Sequence, residues 1–305
     1  MLFFCLTDLH LAMIIEVNIK INLYLFIFYV NRGDFMKVAY MTNAWGAVMA
    51  HCAAANNINS AYYISTGADA EAIGGIAAAG YEQIEIFDGN LLAYENREED
   101  FRKLLESSKV SLLAVYCAGG FIYDEALPEE LFKIRKAASF AKKFGATQIA
   151  LGGGATRYDG IREEDYKKLA AALDKVCGIA DELGMTASYH PHMGSLVQSP
   201  EQLDKIMPNT RICLCPDTGH VVLGGGDPVA VVKKYADRIK YIHLKDVTGS
   251  GMFCPLGQGS IDFASIVNIL GKNVLYAIEC DGWNGDPGEG ARITFDYLKT
   301  KLNFS

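Results

Sequence analysis

One rhythm constrains this chain more than any other feature. A short apolar run turns polar and ionisable at its C-terminal end, a helical pattern follows, and the cycle repeats. It is clearest in Thr-Ala-Ser-Tyr-His-Pro-His (186–192), Cys-Leu-Cys-Pro-Asp-Thr-Gly-His (213–220), Tyr-Ile-His-Leu-Lys-Asp (241–246) and Tyr-Ala-Ile-Glu-Cys-Asp-Gly-Trp (276–283). Helical patterns over 200–207, 228–239 and 263–270 separate these segments. Strand, polar tip, helix, strand is the order of a parallel β/α barrel, in which the tips gather at the C-terminal mouth.

The spacing points to one shared site. His190, Asp217, His243 and Glu279 follow at intervals of 27 (190 to 217), 26 (217 to 243) and 36 residues (243 to 279). One βα unit takes roughly 30 residues, so each interval advances one strand. Four of the six histidines lie in this stretch. Two imidazoles and two carboxylates form a mixed nitrogen and oxygen set. It suits one divalent ion, Mn²⁺ or Co²⁺ first, with Zn²⁺, Fe²⁺ or Mg²⁺ compatible, and suits Ca²⁺ poorly.

From Met36 onwards eight strands and eight helices can be counted, which predicts a single (β/α)8 TIM barrel of class α/β over residues 36–305. The first strands are Val38 to Met41, Ile84 to Phe87 tipped by Asp88, Val110 to Tyr116, and Gln148 to Leu151. A long loop is expected from His51 to Gly67. Helices are expected over 70–79, 97–107, 131–144, 166–183 and 291–302. Gly152-Gly-Gly154 and Gly224-Gly-Gly226 lack the context of a nucleotide-binding loop and read as flexible βα loops.

Residues 1–35 do not fit this pattern. Their apolar run, Leu23 to Val30, is too short to span a bilayer, and neither a basic leader nor a small-residue cleavage site is present. Asn31-Arg-Gly-Asp-Phe35 can be encoded by a purine-rich tract, as a ribosome-binding site before a Met36 start would be. Residues 1–35 are therefore expected to be a non-native or disordered extension, with a membrane-associating segment as the alternative. The formal charge of −8 argues against nucleic acid and acidic membranes as partners. Eight scattered cysteines without a Cys-x-x-Cys framework fit reduced thiols and a cytoplasmic protein. A homo-oligomer is compatible with the composition.

The segments His190-Pro-His192, Asp217-Thr-Gly-His220, His243-Leu-Lys-Asp246 and Pro255 to Phe263 (PLGQGSIDF) carry a resemblance. With them the chain resembles the xylose-isomerase-like TIM barrels of the sugar phosphate isomerase/epimerase superfamily, in particular inosose-dehydratase-like and inosose-isomerase-like members. The resemblance implies one divalent metal on strands five to eight, held here by His190, Asp217, His243 and Glu279. Many members place a glutamate at the position of His190, a departure that removes one of two metal-bound glutamates able to work as an acid–base pair.

These residues suggest a chemistry. A divalent ion chelated by a hydroxy-ketone acidifies the neighbouring C–H and stabilises an enediolate. Glu279 is the expected base, and Asp217 a plain ligand. His192 and His220 lie beyond ligand positions, as proton donors, oxygen anchors or supports for the ligands. Lys245 shares a strand face with His243 and would stabilise oxyanion charge or pair with Asp246 or Asp217. Trp45, Trp283 and Asp88 are candidate substrate contacts, with Glu85 secondary. The expected function is a metal-dependent isomerase or epimerase of a sugar or keto-polyol, acting through a metal-stabilised enediolate. A dehydratase, or another lyase expelling a β-substituent, follows from the same chemistry. The third class is a non-catalytic metal- or carbohydrate-binding barrel. The charge of gathering so many ionisable groups at one mouth weighs against it.

Overall fold

The computed structural model describes residues 36–50 and 61–304. The expectation for residues 1–35 lies outside the described residues. Eight parallel strands form a nearly closed barrel: β1 (Val38–Met41), β2 (Gln83–Phe87), β3 (Ser111–Gly119), β4 (Gln148–Gly153), β5 (Thr186–Tyr189), β6 (Cys213–Leu214), β7 (Tyr241–Leu244) and β8 (Leu275–Ile278). The hydrogen-bonded order is β6-β5-β4-β3-β2-β1-β8-β7. The remaining seam is stitched by parallel bridges Leu214 to Ile239 and Asp217 to His243, and by His243 N–H donating to the Pro216 carbonyl at 3.1 Å.

Eight helices cover the outside: α1 (Asp69–Ala79), α2 (Glu98–Ser108), α3 (Leu127–Lys142), α4 (Glu163–Leu183), α5 (Pro200–Ile206), α6 (Pro228–Tyr235), α7 (Phe263–Leu270) and α8 (Pro287–Lys301). Local sequence starts and stops several of them. Ser199 and Gln202 form a capping box before α5, and Asp227 and Asp286 cap helices that open on proline. Helices α3, α4 and α8 begin three to four residues earlier than periodicity alone suggests; α4 opens on three acidic residues, and α3 and α8 open on turns that contain proline and glutamate.

Alternation along the strands sorts the side chains. Leu214, Ile242, Leu244, Tyr276 and Ile278 pack outward under the helices. Ala39, Met41, Phe87, Ala114, Ala150, Cys215, Tyr241 and Ala277 fill the barrel interior. Continuing the inward series past each strand reaches Asn43, His190, Asp217, His243 with Lys245, and Glu279. The period of two thus delivers them to one end.

Two regions differ from the sequence pattern. Within the expected loop, Tyr63–Ser65 pairs antiparallel with Val48–Ala50 as a small ribbon, while residues 51–60 lie outside the described residues. Gly152 and Gly153 end strand β4 rather than forming a flexible loop. A Cβ at Gly152 would lie 1.9 Å from the Tyr116 hydroxyl, and one at Gly153, whose φ is +108°, would lie 2.1 Å from the Gly119 carbonyl oxygen, so glycine makes room for the ring and the neighbouring backbone. Among the described residues no helix is long and apolar enough to cross a membrane.

Candidate metal centre

His190, Asp217, His243 and Glu279 meet inside the mouth of the barrel. One ligand atom from each lies within 4.8 Å of the others, and all four residues are buried. Each arrives from the end of a different strand, β5 to β8. Asp217 divides its two oxygens. Oδ1 accepts the His220 N–H at 2.8 Å and caps a short helix, Thr218–Leu223, which is too brief to show in periodicity. Its Oδ2 has no hydrogen-bond partner, and Lys245 Nζ stands 3.5 Å away.

Glu279 is held from several sides. Asn43 Nδ2 donates to its Oε1 at 3.0 Å, Lys245 Nζ lies 3.0 Å from that oxygen, and His243 Nδ1 is 2.7 Å from Oε2. Burial alone would raise its carboxyl, but Lys245 and His243 hold it well below the usual carboxylate range. For Asp217 burial outweighs Lys245, and its carboxyl is pushed up to about 7. Burial works against charge on His243; Glu85, then Cys215 and Glu279, outweigh it and raise its affinity for a proton. His190 is driven the other way, chiefly by burial and then by the nearby His243, so it is a neutral imidazole.

Lys245 is fully buried and faces three carboxylates: Asp217, Glu279 at 3.0 Å and Asp281 at 2.6 Å. Burial opposes its charge, but Asp217, Asp281 and Glu279 keep it a cation. Its ammonium also lies 4.5 Å over the Phe253 ring. The backbone of the Asp217-Thr-Gly-His220 segment receives this chain. Thr218 Oγ1 donates to the Lys245 carbonyl at 2.7 Å, and a Cβ at Gly219 would sit 2.9 Å from Lys245 Cγ. Asp246 turns away and folds the following loop. Its carboxylate accepts N–H groups of Val247, Gly257 and Gly259, each at 2.9 Å, and of Ile261 at 3.3 Å.

His220 and His192 lie against each other with ring centroids 3.8 Å apart and planes tilted by 44°, and both approach His190. Lys245 Nζ is 3.3 Å from His220 Nε2. Burial first, and Lys245 next, keep His220 neutral. His192 is half-buried, and its Nδ1 is 2.7 Å from the Met193 carbonyl. A cavity of about 470 Å³ opens beside it, lined by Tyr63, Tyr116, Gly120, Lys133, Gly154 and His192. Trp45 and Trp283 line a separate cleft of about 490 Å³ with Asp281 and Asn284. Asp88 reaches neither. Its Oδ1 accepts the N–H groups of Tyr63 and Gly89, each at 2.8 Å, and supports the ribbon below the first cavity.

Sequence reasoning missed Asn43, Tyr116 and Asp281. Asp281 was available as the residue two beyond Glu279, on the same face. Asn43 follows β1 in a short 3-10 turn, and only packing shows its use.

The cluster fits a divalent ion. Both ring nitrogens of fully buried His190 lack a partner, as does Asp217 Oδ2, and buried polar atoms are rarely left so. The carboxyl groups of Asp217, Glu279 and Asp281 also crowd around the single ammonium of Lys245, a donor-rich setting that suits a divalent cation. Cys215 lies near enough to His190 and His243 to form a second, softer set of three.

Barrel and mouth together define a TIM-barrel protein with a histidine–carboxylate centre able to hold a metal. The family model for the xylose isomerase-like TIM barrel matches residues 74–301, and the chain belongs to that family. It is 36% identical over 170 residues to the inosose dehydratase of Clostridium beijerinckii, covering 47% of this chain and 57% of the relative. The inosose dehydratase of Lacticaseibacillus casei is 32% identical over 167 residues, 46% of this chain and 56% of that one. The chain thus spans little more than half the length of these curated relatives. Among solved structures, a probable 3-DHS dehydratase from Bacillus anthracis superposes with a TM-score of 0.67 at 14% identity, over 87% of this chain and 100% of that one. The 3-keto-D-glucoside 4-epimerase of E. coli gives 0.64 at 16% identity, over 87% and 99%. These likenesses establish the fold.

Proposed function

We propose that the chain is a divalent-metal-dependent enzyme that removes the proton beside the carbonyl of a sugar or keto-polyol, as an isomerase or epimerase. The meeting of His190, Asp217, His243 and Glu279 in the barrel mouth carries this conclusion. A divalent ion, Mn²⁺ or Co²⁺ by the donor set, would be held by those four side chains and would supply Lewis-acid polarisation of the substrate carbonyl.

The chain's own residues do the rest. Glu279 takes the proton; Asn43, His243 and Lys245 keep it ionised and fix its direction. Lys245 places a permanent cation next to Glu279 and Asp217, where negative charge develops on substrate oxygen. The cavity beside His192 accommodates the polyol, with Tyr116 and His192 on its wall. Its volume lies in the range of small-molecule sites.

Elimination of water is a second reading, favoured by two observations. The β5 position of the cluster is His190 rather than a glutamate, so Glu279 would have no glutamate opposite it on that strand to return the proton from the other face. The adjacent His192 and His220 would instead assist a departing hydroxyl. His220 is kept neutral by burial and Lys245, and His192 stands at the cavity wall, within reach of a departing group. The inosose dehydratases among the relatives are in keeping with this outcome.

Incubating the metal-loaded protein with keto-inositols and keto-sugars in D₂O separates the two. Deuterium uptake with the mass otherwise unchanged is the isomerase result. Loss of water, or of a β-linked group, is the lyase result. Neither exchange nor conversion across the panel would sink both.

A further inference from the structure

We infer that Glu85 is the positioning residue for His243, holding its imidazole in the tautomer whose Nδ1 is open to a metal. This rests on the proposal that the four-residue cluster binds a divalent ion. Glu85 projects from β2 into the barrel and is fully buried. Its Oε2 lies 3.0 Å from His243 Nε2 and also accepts the Tyr241 hydroxyl. The opposite ring nitrogen, Nδ1, faces Glu279 Oε2 at 2.7 Å, inside the cluster. The two nitrogens of one ring are thus divided between a carboxylate beneath the site and the site itself.

The division has a chemical consequence. Both ring nitrogens face carboxylates, which only accept; a metal taking Nδ1 would replace the contact with Glu279, and the remaining ring proton then stays on Nε2 beside Glu85. The Tyr241 hydroxyl on the same oxygen keeps the carboxylate from rotating away. Carboxylate partners of ligating imidazoles fix ring orientation and raise ligand basicity, and their loss typically weakens metal binding 10–100-fold. Burying an anion this deeply is expensive unless it is used. Glu85 Oε1 has no partner, so the cost is borne for the contacts of Oε2 alone.

A purely structural Glu85 would affect folding but leave metal affinity and the tautomer untouched. The test is Mn²⁺ titration of the full chain, followed by electron paramagnetic resonance, in wild type, E85Q and E85L. We expect the dissociation constant to rise about 10-fold in E85Q, which keeps an acceptor without the charge. In E85L, which keeps neither, it should rise towards about 100-fold. Constants within about twofold of wild type in both variants overturn the role. A second measurement needs no variant to fold: in Zn²⁺-loaded, ¹⁵N-histidine-labelled wild type, His243 should carry hydrogen on Nε2 and metal on Nδ1. Hydrogen on Nδ1 overturns the inference. Wild type that binds neither ion overturns the metal proposal itself, whereas tight wild-type binding with unaltered variants overturns only the role of Glu85.

Discussion

At the residue scale, Glu279 is the side chain on which the proposed chemistry turns. Asn43, His243 and Lys245 all contact its carboxylate, so its orientation survives small changes while its basicity does not. Glu279→Gln should retain most of the bound Mn²⁺ and lose at least ~100-fold in turnover, read by steady-state kinetics beside metal analysis. Turnover like wild type would move the base to His192 or Lys245. Asp88 gives a separate prediction about pH. Burial, opposed by Lys133 and two backbone N–H groups, pushes its carboxyl up to about 7 in the folded chain, against about 3.9 when unfolded. Between those values the folded state holds a proton that the unfolded state has lost. Its stabilising contribution is therefore complete below about 4, falls as pH rises, and levels off above about 7. Urea unfolding at several pH values should show this slope in wild type and a flatter one in Asp88→Asn; parallel profiles would refute it.

At the element scale, the segment His243 to Asp246 shows how one strand end serves two purposes. His243 and Lys245 point into the mouth. Asp246 gathers four N–H groups of the loop that runs towards α7. Asp246→Ala should destabilise the protein by about 3 kcal/mol, since it leaves those donors without their charged acceptor. Chemical denaturation measures this, and a change under about 0.5 kcal/mol, the range of ordinary surface substitutions, would contradict it. The motif itself was legible in the sequence; its partner loop was not. A carboxylate binding backbone groups 11 to 15 residues away leaves no periodic signal. The same applies to the short helix capped by Asp217, where a local cap and a glycine beside Lys245 matter more than any apolar stripe.

At the scale of the whole molecule, a bound dication should tie β5, β6, β7 and β8 together where the barrel seam is thinnest. Saturation with Mn²⁺ at about 100 times its dissociation constant should add about 2.7 kcal/mol of stability, seen as a higher melting temperature that a chelator reverses. His190→Phe sharpens this prediction. No described residue hydrogen-bonds the His190 ring, so a phenyl ring leaves no partner stranded. The metal-free variant should melt near wild type, while the Mn²⁺-dependent rise disappears. A rise equal to that of wild type would remove His190 from the ligand set.

The barrel follows from the sequence alone because its signals are local and repeated. Apolar runs of period two, helical stripes and caps recur eight times, and their order admits few topologies. The four-residue cluster was legible for the same reason, since intervals of about one βα unit bring successive strand ends to a common mouth. Tertiary structure alone decided what surrounds it. Asn43, Glu85 and Asp281 act on residues from other strands, and Glu85 meets His243 across 158 positions of chain. Asp88 shows the converse: its strand-end position suggested a substrate contact, but the structure assigns one of its oxygens to backbone N–H groups. Pattern along a chain records which face a side chain takes. Which oxygen meets which nitrogen is settled only when distant strands are packed to contact distance.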